Sequence, residues 1–442
     1  MVFQGDWRRA PVQPAWVRNV IGRSSVLNPV SECRVSRYGL PRNAQTSAGE
    51  AGTHARVRGQ SVPEHLASLT PLRGIAALWV VLFHYCWHFP AVHADRYTGA
   101  VYKGYLAVDL FFMLSGFVIS HVYRRAFALR VTGRRYRDFL KARVARIYPL
   151  HLTVLLLFVV TALGERAVAI ADGGSFGPIP LVGERSIGAF VANLLMLQGI
   201  WARELSWNDP AWSISLEFLA YLSFPLVFPL LWQAAPAAKA AAGGIFLMVL
   251  GGLAYGTGDD FNQWNGIGAI LRCLPEFLIG ALLYSAYRRQ AFAPVLASDA
   301  ALLTGMLLLC SLLHFAGPDF SIVPLFALLI LTAVSNKGRL APLINSAPLL
   351  WLGNISYSLY LFHWFVLFVT TEAIRAHAKT DIAKVPLHLS LGLITAMLAA
   401  SLMLATLSYR FVEVAGRRWL RERLGVGRPA SRVLSAAGRR DA

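Results

Sequence analysis

The chain has 442 residues, of which 56% are hydrophobic and only 15% charged, and its mean hydropathy is +0.51. That composition excludes an ordinary soluble domain of this length. A net charge of +19 raises nucleic acid as a partner, but no zinc finger or helix-turn-helix pattern occurs. The arginines instead cluster beside apolar runs, as cytoplasmic loops facing anionic lipid do.

Residues 1–64 are polar, arginine-rich and aperiodic, with no apolar stretch fit for a signal peptide. They are expected to form a disordered cytoplasmic extension, or to reflect an upstream start codon wrongly chosen. The membrane domain is expected over 65–420 and a basic cytoplasmic tail over 421–442. The four cysteines, Cys33, Cys86, Cys273 and Cys310, are too scattered for a disulfide framework or a metal site.

Repeated apolar runs of about 20 residues predict an all-α polytopic membrane helix bundle of about ten transmembrane helices. They lie near 72–92, 104–123, 147–169, 212–232, 241–256, 267–286, 300–316, 319–335, 350–371 and 387–409. A weaker run, "SIGAFVANLLMLQGIW" at 186–201, is short for a crossing. If it does not cross, "RRAFALRVTGRRYRDFLKARVAR", "YRRQ", "SNKGR" and the basic tail all lie on the cytoplasmic side with both termini, and "GTGDDFNQ" lies outside. If it crosses, the tail is stranded outside. The segment is therefore expected to be re-entrant or interfacial, with protein covering its backbone if it re-enters.

The first span, "LRGIAALWVVLFHYCWHF", carries Arg73 at its start and His84 well inside. Eleven positions apart, they share a helix face about 16 Å apart along the axis. A snorkelling anchor and a tolerated polar residue are the plain explanation; a buried site reached from one membrane surface is the functional one, because intramembrane ionisable groups usually mark function. In the second span, "GYLAVDLFFMLSGFVIS", Asp109 sits near the outer surface, with Ser115 and Gly116 deeper. Asp109 is either an interfacial helix-start carboxylate or the group that orients a histidine, as the third member of a triad does. Arg143 and Arg146, one turn apart before the third span, are topology anchors or a phosphate clamp.

The fourth span opens at Asp209-Pro210, a helix-start signal. Ser213, Glu217 and Tyr221 then follow at four-residue spacing on one face, as a structural seam or a stripe facing the bundle interior. Arg272 and Glu276 are expected to form an intrahelical ion pair. "GNISYSLYLFHWFVL" groups Tyr357, Tyr360 and His363 within two turns, with a second histidine in mid-membrane.

The series "LRGIAALWVVLFHY", "GYLAVDLFFMLSGFVI", "RVARIYPL", "WSISLEFLAYLSFP", "LPEFLIGALL", "ISYSLYLFHW" and "YRFVEVAGRRW" resembles acyltransferase family three. The ordered match spans 65 to about 420. The resemblance implies a multi-pass O-acyltransferase moving an acyl group, often acetyl from acetyl-CoA, to a hydroxyl of a surface polysaccharide or lipid-linked glycan. It places the family's arginine and histidine on Arg73 and His84, its paired arginines on Arg143 and Arg146, its second-span motif on Asp109, Ser115 and Gly116, its glutamate on Glu217 and its late histidine on His363. The expected roles are chemistry at His84, Arg73, Asp109 and Glu217, and donor binding at Arg143, Arg146, Ser115 and Gly116. Tyr221, Tyr360 and His363 are expected to contact substrate.

Departures from the family's pattern stand at Thr70-Pro71, Phe365 and Val414, outside the proposed chemistry. The chain resembles the stand-alone form without a fused hydrolase-like domain. Acyl-CoA is expected as donor substrate, with no permanently bound cofactor or metal, no nucleic acid, and membrane lipids as surroundings. The bacterial inner membrane is the expected location. Competing readings are a membrane acyltransferase for a lipid or small-molecule acceptor, and a secondary transporter. The transporter should show two related halves, and no internal repeat is found.

Overall fold

A computed structural model describes residues 66–171, 173, 183–201, 206–263, 266–290, 293–378 and 381–426. The expectation for residues 1–64 and most of that for 421–442 lie outside the described residues. Among those described, the chain is helical throughout and forms no strand. In order the helices are α1 (Leu69–His88), α2 (Ala107–Phe127), α3 (Gly133–Ala171), α4 (Ile187–Leu194), α5 (Gln198–Trp201), α6 (Trp212–Gln233), α7 (Pro236–Thr257), α8 (Ile267–Arg288), α9 (Ala293–Leu296), α10 (Asp299–His314), α11 (Asp319–Ser335), α12 (Ala341–Ile344), α13 (Ala347–Ala378), α14 (Leu387–Ser408) and α15 (Ala415–Arg423).

Eight helices are long and apolar enough to cross a membrane, and α10 and α11 are shorter apolar helices. All ten coincide with the runs read from the sequence. At 16 and 17 residues, α10 and α11 span only about 24 and 26 Å. A hydrocarbon core is about 30 Å thick, so the bilayer must thin or adjust around them. The 39-residue α3 has the opposite mismatch. At about 58 Å, its basic first half projects beyond the hydrocarbon.

The 186–201 segment breaks into two short helices, with Met196 in the left-handed region at φ 58° between them. Eight residues of α4 reach only about 12 Å. The registers of two helix pairs tell the same story. On α1 and α13, Gly74 lies against Gly353 and His84 against His363, so the two helices run parallel. On α2 and α8, Asp109 meets Arg272 and His121 meets Tyr284, again in parallel register. A crossing at 186–201 would make both pairs antiparallel.

Both pairs approach closely because glycine faces backbone. A Cβ on Gly353 would meet the Thr70 carbonyl carbon at 2.5 Å, and one on Gly74 the Gly353 nitrogen at 2.6 Å. Gly280 and Gly116 serve the α2–α8 seam in the same way, against Met113 and Phe277. Small residues allow such approach where lipid supplies no hydrophobic drive between helices. Gly353→Ala is therefore expected to destabilise the folded protein by about 1–3 kcal/mol or more, through overpacking against backbone. Gly392→Ala, with open space around its Cβ, should leave thermal melting in detergent unchanged. Equal melting of the two variants would contradict this account of the seam.

Candidate active site

The parallel α1–α13 seam carries the two histidines to the same depth. His84 Nδ1 lies 3.1 Å from His363 Nε2, with ring centroids 5.0 Å apart. His363 is fully buried and His84 half-buried, so His84 is the member open to a ligand. Trp364 stands edge-on to both His84 and His88, and His88 Nδ1 lies 2.8 Å from the His84 carbonyl oxygen. Behind the pair, the Tyr85 hydroxyl donates to the His363 carbonyl (3.1 Å) and meets Ser401 Oγ of α14 at 2.7 Å.

The second polar face gathers around Glu217. Ser115 Oγ donates to Glu217 Oε1 at 2.6 Å and the Tyr221 hydroxyl at 2.5 Å. Ser115 and Tyr221 are thus joined as the sequence suggested, but through Glu217: both hydroxyls are engaged in holding a carboxylate. Arg143 lies over the rings of Tyr123, Phe139 and Tyr221 at 5.1–5.8 Å, and its Nη2 donates to the Tyr123 hydroxyl at 3.0 Å. Arg146 forms an ion pair with Glu413, whose other oxygen accepts from Ser358 at 2.9 Å. Arg73 lies within electrostatic reach of Glu217, Glu413 and Arg146. Among the described residues it makes no hydrogen bond. Arg73, Arg143, Arg146 and Glu217 therefore belong to one neighbourhood, three turns of α1 below His84.

Other expectations are redirected. Asp109 does not orient a histidine. It is fully buried and takes a two-pronged contact from Arg272, Nε to Oδ1 at 2.7 Å and Nη2 to Oδ2 at 2.5 Å. Arg272 also donates to the Phe261 carbonyl at 2.9 Å. No ion pair joins Arg272 to Glu276, because the planar guanidinium fork fits a carboxylate presented from the facing helix. Around this pair, Tyr105 and Lys103 bond Asp319, forming a polar plug where α2, α8 and α11 meet. Gly116 faces Phe277 in the helix seam, with no room for a ligand. The Tyr360 hydroxyl donates to the Pro210 carbonyl at 2.9 Å and meets Ser213 Oγ at 2.8 Å, so it ties α13 to the start of α6 instead of facing an acceptor.

Glu413 was not anticipated as a site residue. It sits in a π-helical turn, Tyr409–Val414, between α14 and α15. Such turns frequently occur at functional sites. The available signal was an acid at the apolar start of a segment otherwise dense in arginine.

Residues 66–407 match the acyltransferase domain family. Acyltransferase MdmB of Streptomyces mycarofaciens is 30% identical over 330 residues, covering 68% of this chain and 79% of that protein. O-acetyltransferase OatA of Staphylococcus aureus is 24% identical over 386 residues, covering 80% of this chain and 58% of OatA. No solved structure is detectably similar.

Proposed function

Because the chain belongs to the acyltransferase domain family, we propose that it moves an acyl group, acetyl in the first instance, from acyl-CoA to a hydroxyl of a cell-surface or lipid-linked polysaccharide. The observation carrying this reading is the histidine pair. His84 is half-buried, and its Nδ1 is taken by His363, which leaves Nε2 for substrate. His363 Nδ1 looks onto the carbonyls of Leu359 and Tyr360 on its own helix, without a well-formed hydrogen bond. A proton on that nitrogen makes His363 Nε2 an acceptor. His84 Nδ1–H then donates to it, and His84 Nε2 holds the lone pair of a general base.

His84 Nε2 takes the proton of the acceptor hydroxyl while that oxygen attacks the thioester carbonyl carbon. The tetrahedral intermediate expels the thiolate, which receives the proton back from the imidazolium, yielding an ester and free CoA thiol. Arg73, Arg143 and Arg146 lie on the side assigned to the cytoplasm, where the donor's phosphates arrive. The pantetheine arm then bridges the stretch of α1 between Arg73 and His84. Glu217 acts through its neighbours, holding Ser115 and Tyr221 beside Arg143.

The O-acetyl specification in the name of OatA supports an oxygen acceptor. The basic approach to α3 and the basic α15 lie together, with Lys141 Nζ donating to the Leu424 carbonyl at 3.0 Å. This supports placing both segments and both termini at the cytoplasmic face of the inner membrane. Membranes containing the chain, supplied with labelled acetyl-CoA and a glycan fraction, are expected to give alkali-labile label in glycan. Label in lipid alone would move the acceptor to the lipid class, and no transfer from any acyl-CoA would remove the donor reading.

A further inference from the structure

Four guanidiniums converge at the cytoplasmic end of the bundle: Arg73 on α1, Arg143 and Arg146 on α3, and Arg417 on α15. Arg417 comes four residues after Glu413, on nearly the same helical face. Its neighbour Gly416 lies against Pro149 of α3, where an added Cβ would meet the proline Cβ at 2.7 Å. That contact brings α15 onto the helix that carries Arg143 and Arg146. Arg417 is repelled by Arg146, Arg143 and Arg421 and attracted by Glu413.

The charges do not cancel. Glu413 is committed to Arg146 and Ser358, and Glu217 to Ser115 and Tyr221. Cations thus outnumber the two carboxylates, the more so because Arg421 also lies within electrostatic reach of Arg417. Arg143 adds a buried Nε with no hydrogen-bond partner. Arg417 is exposed and, among the described residues, makes no hydrogen bond or ion pair. Like-charged groups held together at this density are unfavourable unless an anion joins them.

We infer that Arg417 seats the terminal phosphate of the donor's nucleotide, making α15 part of the donor site and the determinant of preference for a 3′-phosphorylated nucleotide carrier. The inference rests on the acyl-CoA reading above. Arg146 is already neutralised by Glu413 and Arg143 is held among aromatic rings, so Arg417, the most exposed of the four, is the one placed to meet the terminal phosphate. A phosphate dianion supplies the kind of charge this cluster lacks. Lipid phosphate shares this chemistry, and the choice of donors in the test separates the two sources.

The test compares purified full-length protein, wild type and Arg417→Gln, with acetyl-CoA, 3′-dephospho-acetyl-CoA and acetyl-pantetheine. With acetyl-CoA the variant should show a KM raised about tenfold, the worth of one charge-assisted hydrogen bond, and an unchanged kcat. With the two donors lacking the 3′-phosphate, wild type and variant should coincide. Arg417→Lys should recover part of the lost affinity. Competitive inhibition by 3′,5′-ADP should weaken in Arg417→Gln by a similar factor. An unchanged KM for acetyl-CoA overturns the proposal. So does an equal change with all three donors, which would assign Arg417 to lipid headgroups or to structure. If the wild type turns over no CoA thioester and 3′,5′-ADP does not bind, the donor reading itself falls and takes this proposal with it.

Discussion

His84→Gln is expected to insert and fold as the wild type does while transferring acyl groups about 10²–10⁴ times more slowly, the usual worth of a positioned general base. Glutamine can still hydrogen-bond toward His363, but it cannot take a proton. Folding should survive because His84 is only half-buried and its removal takes an imidazole out of the membrane interior, which relieves a desolvation penalty. In the proposed mechanism His363 acts through His84, so its loss should have a different signature. His363→Ala should lower kcat with little change in KM for the donor, since orientation and tautomer are lost and binding is not. His363→Gln, which restores an acceptor oxygen, should recover part of the rate. The measurement is acyl incorporation from labelled acetyl-CoA, normalised to folded protein. Near wild-type turnover in His84→Gln would end the base assignment and leave His84 as a hydrogen-bonding group.

The second large effect concerns stability. Asp109→Asn should destabilise the protein by about 3–5 kcal/mol, because it removes the carboxylate that takes the two-pronged contact of the buried Arg272 charge. Arg272 is almost wholly enclosed, at 2% exposure. Replacing both partners at once, Asp109→Leu with Arg272→Met, removes the stranded charge and should return stability close to wild type or above it. Thermal melting of the three proteins in one detergent provides the comparison. The same proteins decide the role of Asp109. If the double variant folds and transfers acyl groups, the pair is architectural. A folded but inactive double variant would return Asp109 to the chemistry.

The first span illustrates what could be read in advance. Arg73 and His84 sit on one continuous helix, so their shared face and axial separation follow from helical geometry alone. The same locality explains the spans, including the broken run at 186–201. The four-residue stripe of Ser213, Glu217 and Tyr221 was also legible as a face, and two of its members do meet a common partner, Ser115. The Arg272–Glu276 expectation failed for an instructive reason. Spacing within a helix defines which partners are near, but a facing helix can present a better one, and Asp109 offers both oxygens to the guanidinium fork.

Hydropathy, charge bias and helical period are properties of short contiguous stretches, so the helical class, the crossing segments and the candidates buried within them were legible without coordinates. Partnership among those candidates is a property of helix rotation and neighbour choice. His84 and His363 lie 279 positions apart, and Asp109 and Arg272 lie 163 apart. No local pattern favours either pairing over the alternatives. Glycine against backbone at Gly74, Gly353, Gly116 and Gly280 sets how closely and in what register the helices meet. That register decided which buried groups face a ligand and which neutralise one another.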